Sequence, residues 1–409
     1  MNVKYSLKKI AIFGYFGAGN LGDEAVVGVL LRKIKERHPN VEIIGICLNP
    51  KNTLKYHGIP AFPLRRLPKK NGVGINDATT SFFKRITRRM SVILPSELIF
   101  LIQSYKRLKG FDLVIVGGSG QLVDNEGGPL NHPYNHFKWS WLARLVGARF
   151  MFLSVGAGPL FTGLGKWFIK KSLLMASYRS FRDDYSKNLV ESFGVKENNI
   201  VCPDQAFSID VDVKTSERKN KKLVVGVAPI AYLDPRHWPE IDPARYRQYV
   251  EKMAAFTEWL IKTNHHVLFF HTQVNGDDLV IPDIKKILAE KSSINLDKDI
   301  SEYPIYWFTE AFDAIAQTDF VVASRYHAII FSYIMNRPSV GVSYDRKINN
   351  AMASVGQSDF VLDIRSFTVD ELIEKFILLK SQSGEAKEKI QKKVGQFREQ
   401  LEQQYDHVF

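Results

Sequence analysis

The run richest in chemical potential is Asp319–Val342, DFVVASRYHAIIFSYIMNRPSVGV. Phe320–Ala323 has the composition of a buried strand, and apolar residues from Ala328 to Met335 follow it. Ser324 is expected to cap a helix there. Arg325 and His327 then fall in its first turn. A helix N-terminus offers unpaired N–H groups and partial positive charge, which attract anions. Arginine adds a planar fork that fits a carboxylate or a phosphate. Histidine can carry a proton near neutral pH. The competing reading is structural, with Arg325 paired to Asp319 or Asp345 and His327 satisfied inside a core.

Other candidates stand where strands should end. Arg182 follows the strand-like Arg179–Phe181 and precedes Asp183 and Asp184, so it is either an anion ligand or half of a local ion pair. Lys347 follows a strand ending near Tyr344 and is expected to reach the same region, or to be an ordinary exposed lysine. His271 closes the strand Val267–Phe270 and leads into Thr272, Gln273 and Asn275. Open α/β sheets bind ligands at such carboxyl ends, although loops are polar in any case. His265 and His266 read as surface residues ahead of that strand. His132 and His136 have the i, i+4 spacing of a metal pair. Pro133 is expected to break the helix between them and no glutamate stands at the right place, so no metal site is expected.

Gly17-Ala18-Gly19-Asn20-Leu21-Gly22 matches the pattern of a dinucleotide loop after a strand and before a helix. Asp23 and Glu24 oppose that reading, because they put carboxylates where a pyrophosphate would sit. The next strand also ends in Leu48, Asn49 and Lys51, with no acid to hold a ribose. Two readings remain. One is a tight turn with Asp23 capping the helix or complementing its dipole. The other is a loop whose Asn20 and Asp23 present hydrogen-bonding groups to a hydroxyl-rich ligand.

Six segments in order resemble the polysaccharide pyruvyl transferase family. They are Gly14-Tyr15-Phe16-Gly17-Ala18-Gly19-Asn20-Leu21-Gly22-Asp23-Glu24-Ala25, Val116-Gly117-Gly118-Ser119-Gly120 and Ser180-Phe181-Arg182-Asp183-Asp184-Tyr185-Ser186. Then follow Cys202-Pro203-Asp204-Gln205-Ala206-Phe207, Ser324-Arg325-Tyr326-His327-Ala328 and Ser343-Tyr344-Asp345-Arg346-Lys347. The resemblance spans roughly residues 10 to 362 and implies phosphoenolpyruvate as donor substrate, with a cyclic ketal formed on two hydroxyls of a saccharide. This donor carries roughly −2.5 to −3 charges. Arg182, Arg325, Lys347 and Ser324 are the expected donor ligands. The resemblance pairs His327, as general acid, with Arg325 for catalysis. Asn20, Asp23, Gly118, Asp124 and His271 are the expected acceptor side, and Asp23, Asp124 and His271 are candidates for the base. The scheme requires neither metal nor cofactor. A glycosyltransferase using a nucleotide sugar, and a non-catalytic sugar-binding or assembly protein, are the alternatives.

These residues need a scaffold that brings strand ends together. Ile10–Phe13, a helix from Ala25 to Arg37 and Val41–Leu48 read as a βαβ unit, which implies parallel pairing. Further strands are expected at Leu113–Val116, Phe150–Val155, Arg179–Phe181 and Asn199–Val201. A second α/β series includes Leu223–Val227, a helix from Pro243 to Lys262, Val267–Phe270, a helix near Pro282 to Lys291, Phe320–Ala323 and Ser339–Val342. The expected fold is α/β, with two doubly wound, Rossmann-like parallel-sheet domains, GT-B-like, and an interdomain cleft. The domains are expected at 1–208 (acceptor side) and 223–380 (donor side), joined by a polar linker at 209–222. Ile390, Val394, Phe397, Leu401 and Tyr405 then mark a closing amphipathic helix within 381–409.

The chain has 409 residues, 45% of them apolar and 24% charged, an ordinary globular balance. Its two cysteines, Cys47 and Cys202, sit in apolar runs and argue against a disulfide framework. Met1–Lys9 is polar, and no apolar run is long enough to span a bilayer. A cytoplasmic location is therefore expected. Net charge is +13. Residues 65–109 hold eleven lysines and arginines against Asp77 and Glu97, interleaved with apolar residues. That composition suggests an interfacial helix pair broken near Pro95, docking peripherally on an anionic membrane. A solvated basic face is the alternative. No nucleic-acid module accompanies the charge.

Overall fold

In the computed structural model, residues 7–66, 94–211, 222–238, 240–291 and 296–409 are described. They form two compact units. Among the described residues, the first comprises those up to 18, from 26 to 205 and from 405 to 409, and the second those from 19 to 25 and from 206 to 404. Both are α/β units built on a parallel sheet.

The first sheet has seven strands: β1 (Lys9–Phe13), β2 (Glu42–Cys47), β3 (Ala61–Pro63), β4 (Leu113–Gly117), β5 (Arg149–Val155), β6 (Tyr178–Phe181) and β7 (Ile200–Val201). Their order is β3-β2-β1-β4-β5-β6-β7, all parallel. Every residue of β4 is buried, because a central parallel strand is covered by helices on both faces. Phe13, Val114, Trp139, Phe150, Phe152 and Phe181 belong to one buried apolar cluster. The Trp139 indole N–H donates to the Leu64 carbonyl at 2.7 Å, which satisfies its one polar group.

The second sheet has six strands: β8 (Val224–Ala228), β9 (His266–Phe269), β10 (Ile300–Glu302), β11 (Phe320–Ala323), β12 (Ser339–Ser343) and β13 (Val361–Asp363). Their order is β10-β9-β8-β11-β12-β13, again parallel. In each sheet the winding direction reverses at one pair of strands, β1/β4 in the first and β8/β11 in the second. Loops leaving such a pair at its carboxyl end diverge and leave space for a ligand. The glycine segments follow β1 and β4, and Ser324-Arg325 follows β11.

Several expectations change. Pro133 does not break a helix; it stands in the first turn of the helix His132–Val146, where a missing N–H costs nothing. His265 is buried, not a surface residue: its ring stacks on Trp259 and its Nδ1 lies 3.2 Å from the Leu260 carbonyl. His266 does not precede the strand; it is the first residue of β9. The expected tail helix is Ser383–Val408. Ile390, Val394, Leu401 and Tyr405 are buried along it, and Phe397 packs on Phe207 at 5.0 Å. Of the basic stretch 65–109, residues 67–93 lie outside the described residues, as do 212–221 of the linker. No helix among the described residues is long and apolar enough to cross a membrane.

Candidate functional site

In the C-terminal unit the chain leaves β11 at Ala323 and enters the helix Tyr326–Ile334. The capping residue is Arg325, not Ser324. Arg325 has extended backbone angles and makes no side-chain cap bond. Ser324 is fully buried, and its hydroxyl lies 2.9 Å from that of Tyr249. Tyr249 also accepts the Ile230 N–H at 3.1 Å, so Ser324 ties the start of the helix to the loop after β8.

Because the Arg325 side chain does not cap, it reaches across to Asp277. Its Nε donates to Oδ2 at 2.6 Å and its Nη2 to Oδ1 at 2.9 Å. The partner is neither Asp319 nor Asp345. Asp277 is 0% exposed and also accepts the Ala231 N–H at 3.0 Å. Burial would favour a neutral Arg325. Asp277 and then the Tyr344 hydroxyl outweigh it, raising the pKa and keeping the guanidinium charged. The Trp238 ring centroid lies 5.8 Å from that guanidinium. Trp238 packs edgewise on Tyr344 at 5.4 Å and on Tyr232 at 5.6 Å. Arg325 is thus fixed along one edge by a carboxylate and flanked by aromatic rings.

His327 is the second residue of the same helix, with Tyr326 edgewise at 5.0 Å and Phe331 at 5.9 Å. Its imidazole lies against Gly22. A Cβ built on Gly22 would stand 1.8 Å from His327 Nδ1, so the third glycine of the first loop makes room for this ring. Asn20 opens the helix Leu21–Arg37: its Oδ1 accepts the Gly22 N–H and its carbonyl accepts the Glu24 N–H, both at 3.1 Å. Asn20, not Asp23, is therefore the cap. Asp23 lies buried in the first turn.

The loop after β9 holds this segment. Val274 N–H donates to the Gly19 carbonyl at 2.9 Å, and Leu21 N–H to the Thr272 carbonyl at 3.1 Å, with Asn20 bridged antiparallel to Gln273. His271 is buried, its Nε2 3.2 Å from the Ile305 carbonyl and its Nδ1 without a hydrogen-bond partner among the described residues. A carbonyl only accepts, so Nε2 carries the proton and Nδ1 keeps its lone pair. Lys347 stands in the first turn of the helix Arg346–Ser354, which Asp345 caps. Its Nζ is 3.9 Å from Asp345 Oδ2 and 5.3 Å from the Tyr344 ring centre.

The N-terminal unit gathers a second group at the ends of β4, β5 and β6. Arg182 Nε is 3.5 Å from Asp183 and its Nη1 3.8 Å from Asp204. Its side chain is only 6% exposed. A Cβ on Gly156 would come within 2.6 Å of the guanidinium, and one on Gly120 within 3.5 Å. Two carboxylates and two glycines therefore enclose Arg182. This is the structural alternative for it, reached through Asp204 as well as Asp183. Gly118 has φ 35°, and a Cβ there would press on Val26 at 2.9 Å. The bare α-carbon permits this close packing.

Asp124 accepts the Phe161 N–H at 2.7 Å, the Thr162 N–H at 2.8 Å and the Thr162 hydroxyl at 2.6 Å. Burial alone would raise its pKa, but these bonds outweigh it and hold the carboxyl below the usual range. That is the reverse of what a base near neutrality needs. His136 is wholly buried beside Phe13 and Phe152, and burial pushes its pKa down to about 3. His132 stacks flat on Tyr15 at 3.6 Å. Both rings approach the Gln121 carbonyl, at 3.2 and 3.3 Å. Among the described residues no group of three or more His, Cys, Asp or Glu is placed to hold a metal.

The model of one family, polysaccharide pyruvyl transferase, matches residues 20–346. The chain belongs to the polysaccharide pyruvyl transferase family. A comparison with curated proteins finds no relative. Among solved structures, the UDP-GlcNAc 2-epimerase of Methanocaldococcus jannaschii is 12% identical with a TM-score of 0.55, covering 91% of this chain and 92% of its own. A glycosyltransferase of Rickettsia africae is 10% identical with a TM-score of 0.56, covering 99% of each chain. HepE of Anabaena, solved with UDP, is 10% identical with a TM-score of 0.56, covering 98% and 100%. At these identities the likeness shows the fold alone, which is that of GT-B-like epimerases and glycosyltransferases. Within the family's own motifs, sequence reasoning missed what fixes Arg325. The polar run Thr272-Gln273-Asn275 was legible, but Asp277 lies two residues beyond it, and nothing in the spacing connects it to Arg325. Trp238 and the tie between Arg182 and Asp204 were also not foreseen.

Proposed function

We propose that this protein transfers the pyruvyl group of phosphoenolpyruvate to two hydroxyls of a saccharide belonging to a polysaccharide or its lipid-linked precursor. The observation that carries the reading is the juxtaposition of Arg325, locked by Asp277, with His327 seated on Gly22. A cation pre-set for an anion and a proton carrier stand two residues apart at a helix N-terminus.

The chemistry assigns tasks to these groups. His327 gives a proton to the methylene carbon, and the central carbon becomes electrophilic. A sugar hydroxyl adds there and yields its proton to a base. Phosphate departs, a second hydroxyl adds at the same carbon, and its proton leaves with ring closure. Arg325, Lys347 and the N–H groups of the helix starting at Tyr326 hold the carboxylate and the phosphate as charge moves onto it. Because Asp277 already compensates Arg325, net positive charge must come from Lys347, the helix end and His327. His271, with its bare Nδ1, is a better base than Asp124, whose lone pairs are engaged. Asn20 and Asp23 remain acceptor ligands on this reading. Arg182, Ser324 and Gly118 shape the loops.

Thermal shift with phosphoenolpyruvate and with UDP separates this from a nucleotide-sugar reaction, since only a bound ligand stabilises the fold. Stabilisation by phosphoenolpyruvate, together with phosphate release coupled to pyruvyl mass gained by a glycoside acceptor, is expected. Stabilisation by UDP alone sinks the proposal.

A further inference from the structure

The N-terminal unit carries an outer face that the transfer chemistry does not use. Helices Leu94–Leu108, His132–Val146 and Gly163–Met175 lie side by side. Phe100 packs against Trp139 at 6.3 Å, and Phe137 against Trp167 and Phe168 at 5.5 and 5.2 Å. Their buried sides are ordinary. Their exposed sides are not.

On the first helix, Leu94, Leu98 and Ile102 recur every four residues and are 56, 57 and 48% exposed. The same stripe then turns basic at Lys106 and Arg107. The second helix exposes Trp141 and Leu145 beside Arg144, and the third exposes Leu164, Trp167 and Leu174 around Lys171. Phe161, ahead of the third helix, is 73% exposed. Scattered exposed apolar residues are normal, but this many on three adjacent helices, two of the residues tryptophans, mark an interaction surface.

Charge identifies the partner. From Gly127 to Arg182 the sequence contains no aspartate or glutamate. Of its cations, Lys138, Arg179 and the Arg182 side chain are buried, and Arg144, Arg149, Lys166, Lys170 and Lys171 are exposed or half-buried. A second copy of this chain would oppose one cationic face to another. An acidic protein would match the charge but not the alternation of protruding apolar side chains with basic ones along the second and third helices. That alternation suits a bilayer interface, where apolar groups enter the acyl boundary and lysine or arginine meets anionic headgroups. Tryptophan favours the same zone.

We propose that this three-helix face docks the protein on an anionic lipid bilayer, with Trp141, Leu164 and Trp167 inserted and Lys106, Arg107 and Lys171 on the headgroups. The proposal is independent of the group transferred.

Flotation of the full chain with vesicles of phosphatidylcholine, with and without phosphatidylglycerol, tests it. The native protein is expected to float with anionic vesicles and to stay behind with neutral ones. Leu164→Ser with Trp167→Ser, and separately Lys106→Glu, Arg107→Glu and Lys171→Glu combined, are each expected to lower binding more than tenfold. All five positions are exposed, so the melting temperature should be unchanged and is read alongside. Absence of flotation overturns the proposal. So does equal flotation with neutral vesicles, or binding that survives both sets of substitutions and therefore comes from elsewhere in the chain. A dimer in sedimentation that dissociates in the Leu164→Ser, Trp167→Ser variant also overturns it, because the face would then be covered by a second copy.

Discussion

The imidazole of His327 rests on the bare α-carbon of Gly22, where a methyl group would stand 1.8 Å from Nδ1. Gly22 lies in the first turn of a helix and its backbone needs no glycine. The three atoms nearest an alanine methyl there all belong to the ring. Gly22→Ala should therefore still fold, with alanine's helix preference offsetting part of an overpacking cost of about 1–3 kcal/mol. Displacing a general acid costs on the order of a hundredfold or more in rate. Phosphate release from phosphoenolpyruvate in the presence of acceptor measures it. Native turnover in this variant would remove His327 from the mechanism.

Asp277 gives a second test. It is fully buried and holds two nitrogens of Arg325 and one backbone N–H. Removing one partner of such a pair strands the other, at a cost of about 3–5 kcal/mol. Asp277→Ala should lose stability on that scale in urea unfolding and should raise KM for phosphoenolpyruvate. Adding Arg325→Leu should restore part of the stability and none of the activity. If the double variant were no more stable than Asp277→Ala, the ion pair would not be what the buried carboxylate is for.

Asp124 separates anchoring from catalysis. Its carboxylate joins the turn after β4 to Phe161 and Thr162. Its pKa is depressed in the fold, so its contribution is present above the unfolded carboxyl value and is lost as pH falls through the folded one. Asp124→Ala should lower the melting temperature at neutral pH, with a residual rate well above that of His327→Ala. A rate as low as that of His327→Ala in a protein that melts normally would make Asp124 the base instead.

His136 predicts an acid response. Its folded pKa of about 3 lies below its ordinary 6.5. Between those values the unfolded chain binds the proton and the folded one does not. Stability therefore rises with pH across that window and is lost as pH drops below about 6.5, by up to about 1.4 kcal/mol per pH unit. Urea midpoints from pH 7 to 4 should fall less steeply in His136→Phe than in the native chain. Parallel slopes would mean that other groups dominate the acid response.

Much of the scaffold is legible from apolar runs. β11 falls at the expected residues, and the helix Pro243–Lys262 matches at both ends. Short edge strands such as β3 and β10 escape, because three residues at a sheet edge leave no period to detect. Around the site, the residue types were readable and their partners were not. Ser324 looks like a cap because serines usually are, yet Tyr249, 75 positions away in sequence, takes its hydroxyl. Arg325 likewise finds Asp277, 48 positions away. Such pairings depend on which strand ends lie beside each other, and a one-dimensional pattern does not carry that.

Residues 19–25 belong by their contacts to the unit otherwise made of residues 206–404. A gene cut at the polar stretch after residue 208 would therefore not yield two complete halves. The carboxyl-terminal product would be missing the seven residues that seat its own imidazole. Swapping halves between family members would pair a borrowed glycine turn with a resident histidine. Fit at that one point, more than the sequence of the junction, should decide which chimaeras work.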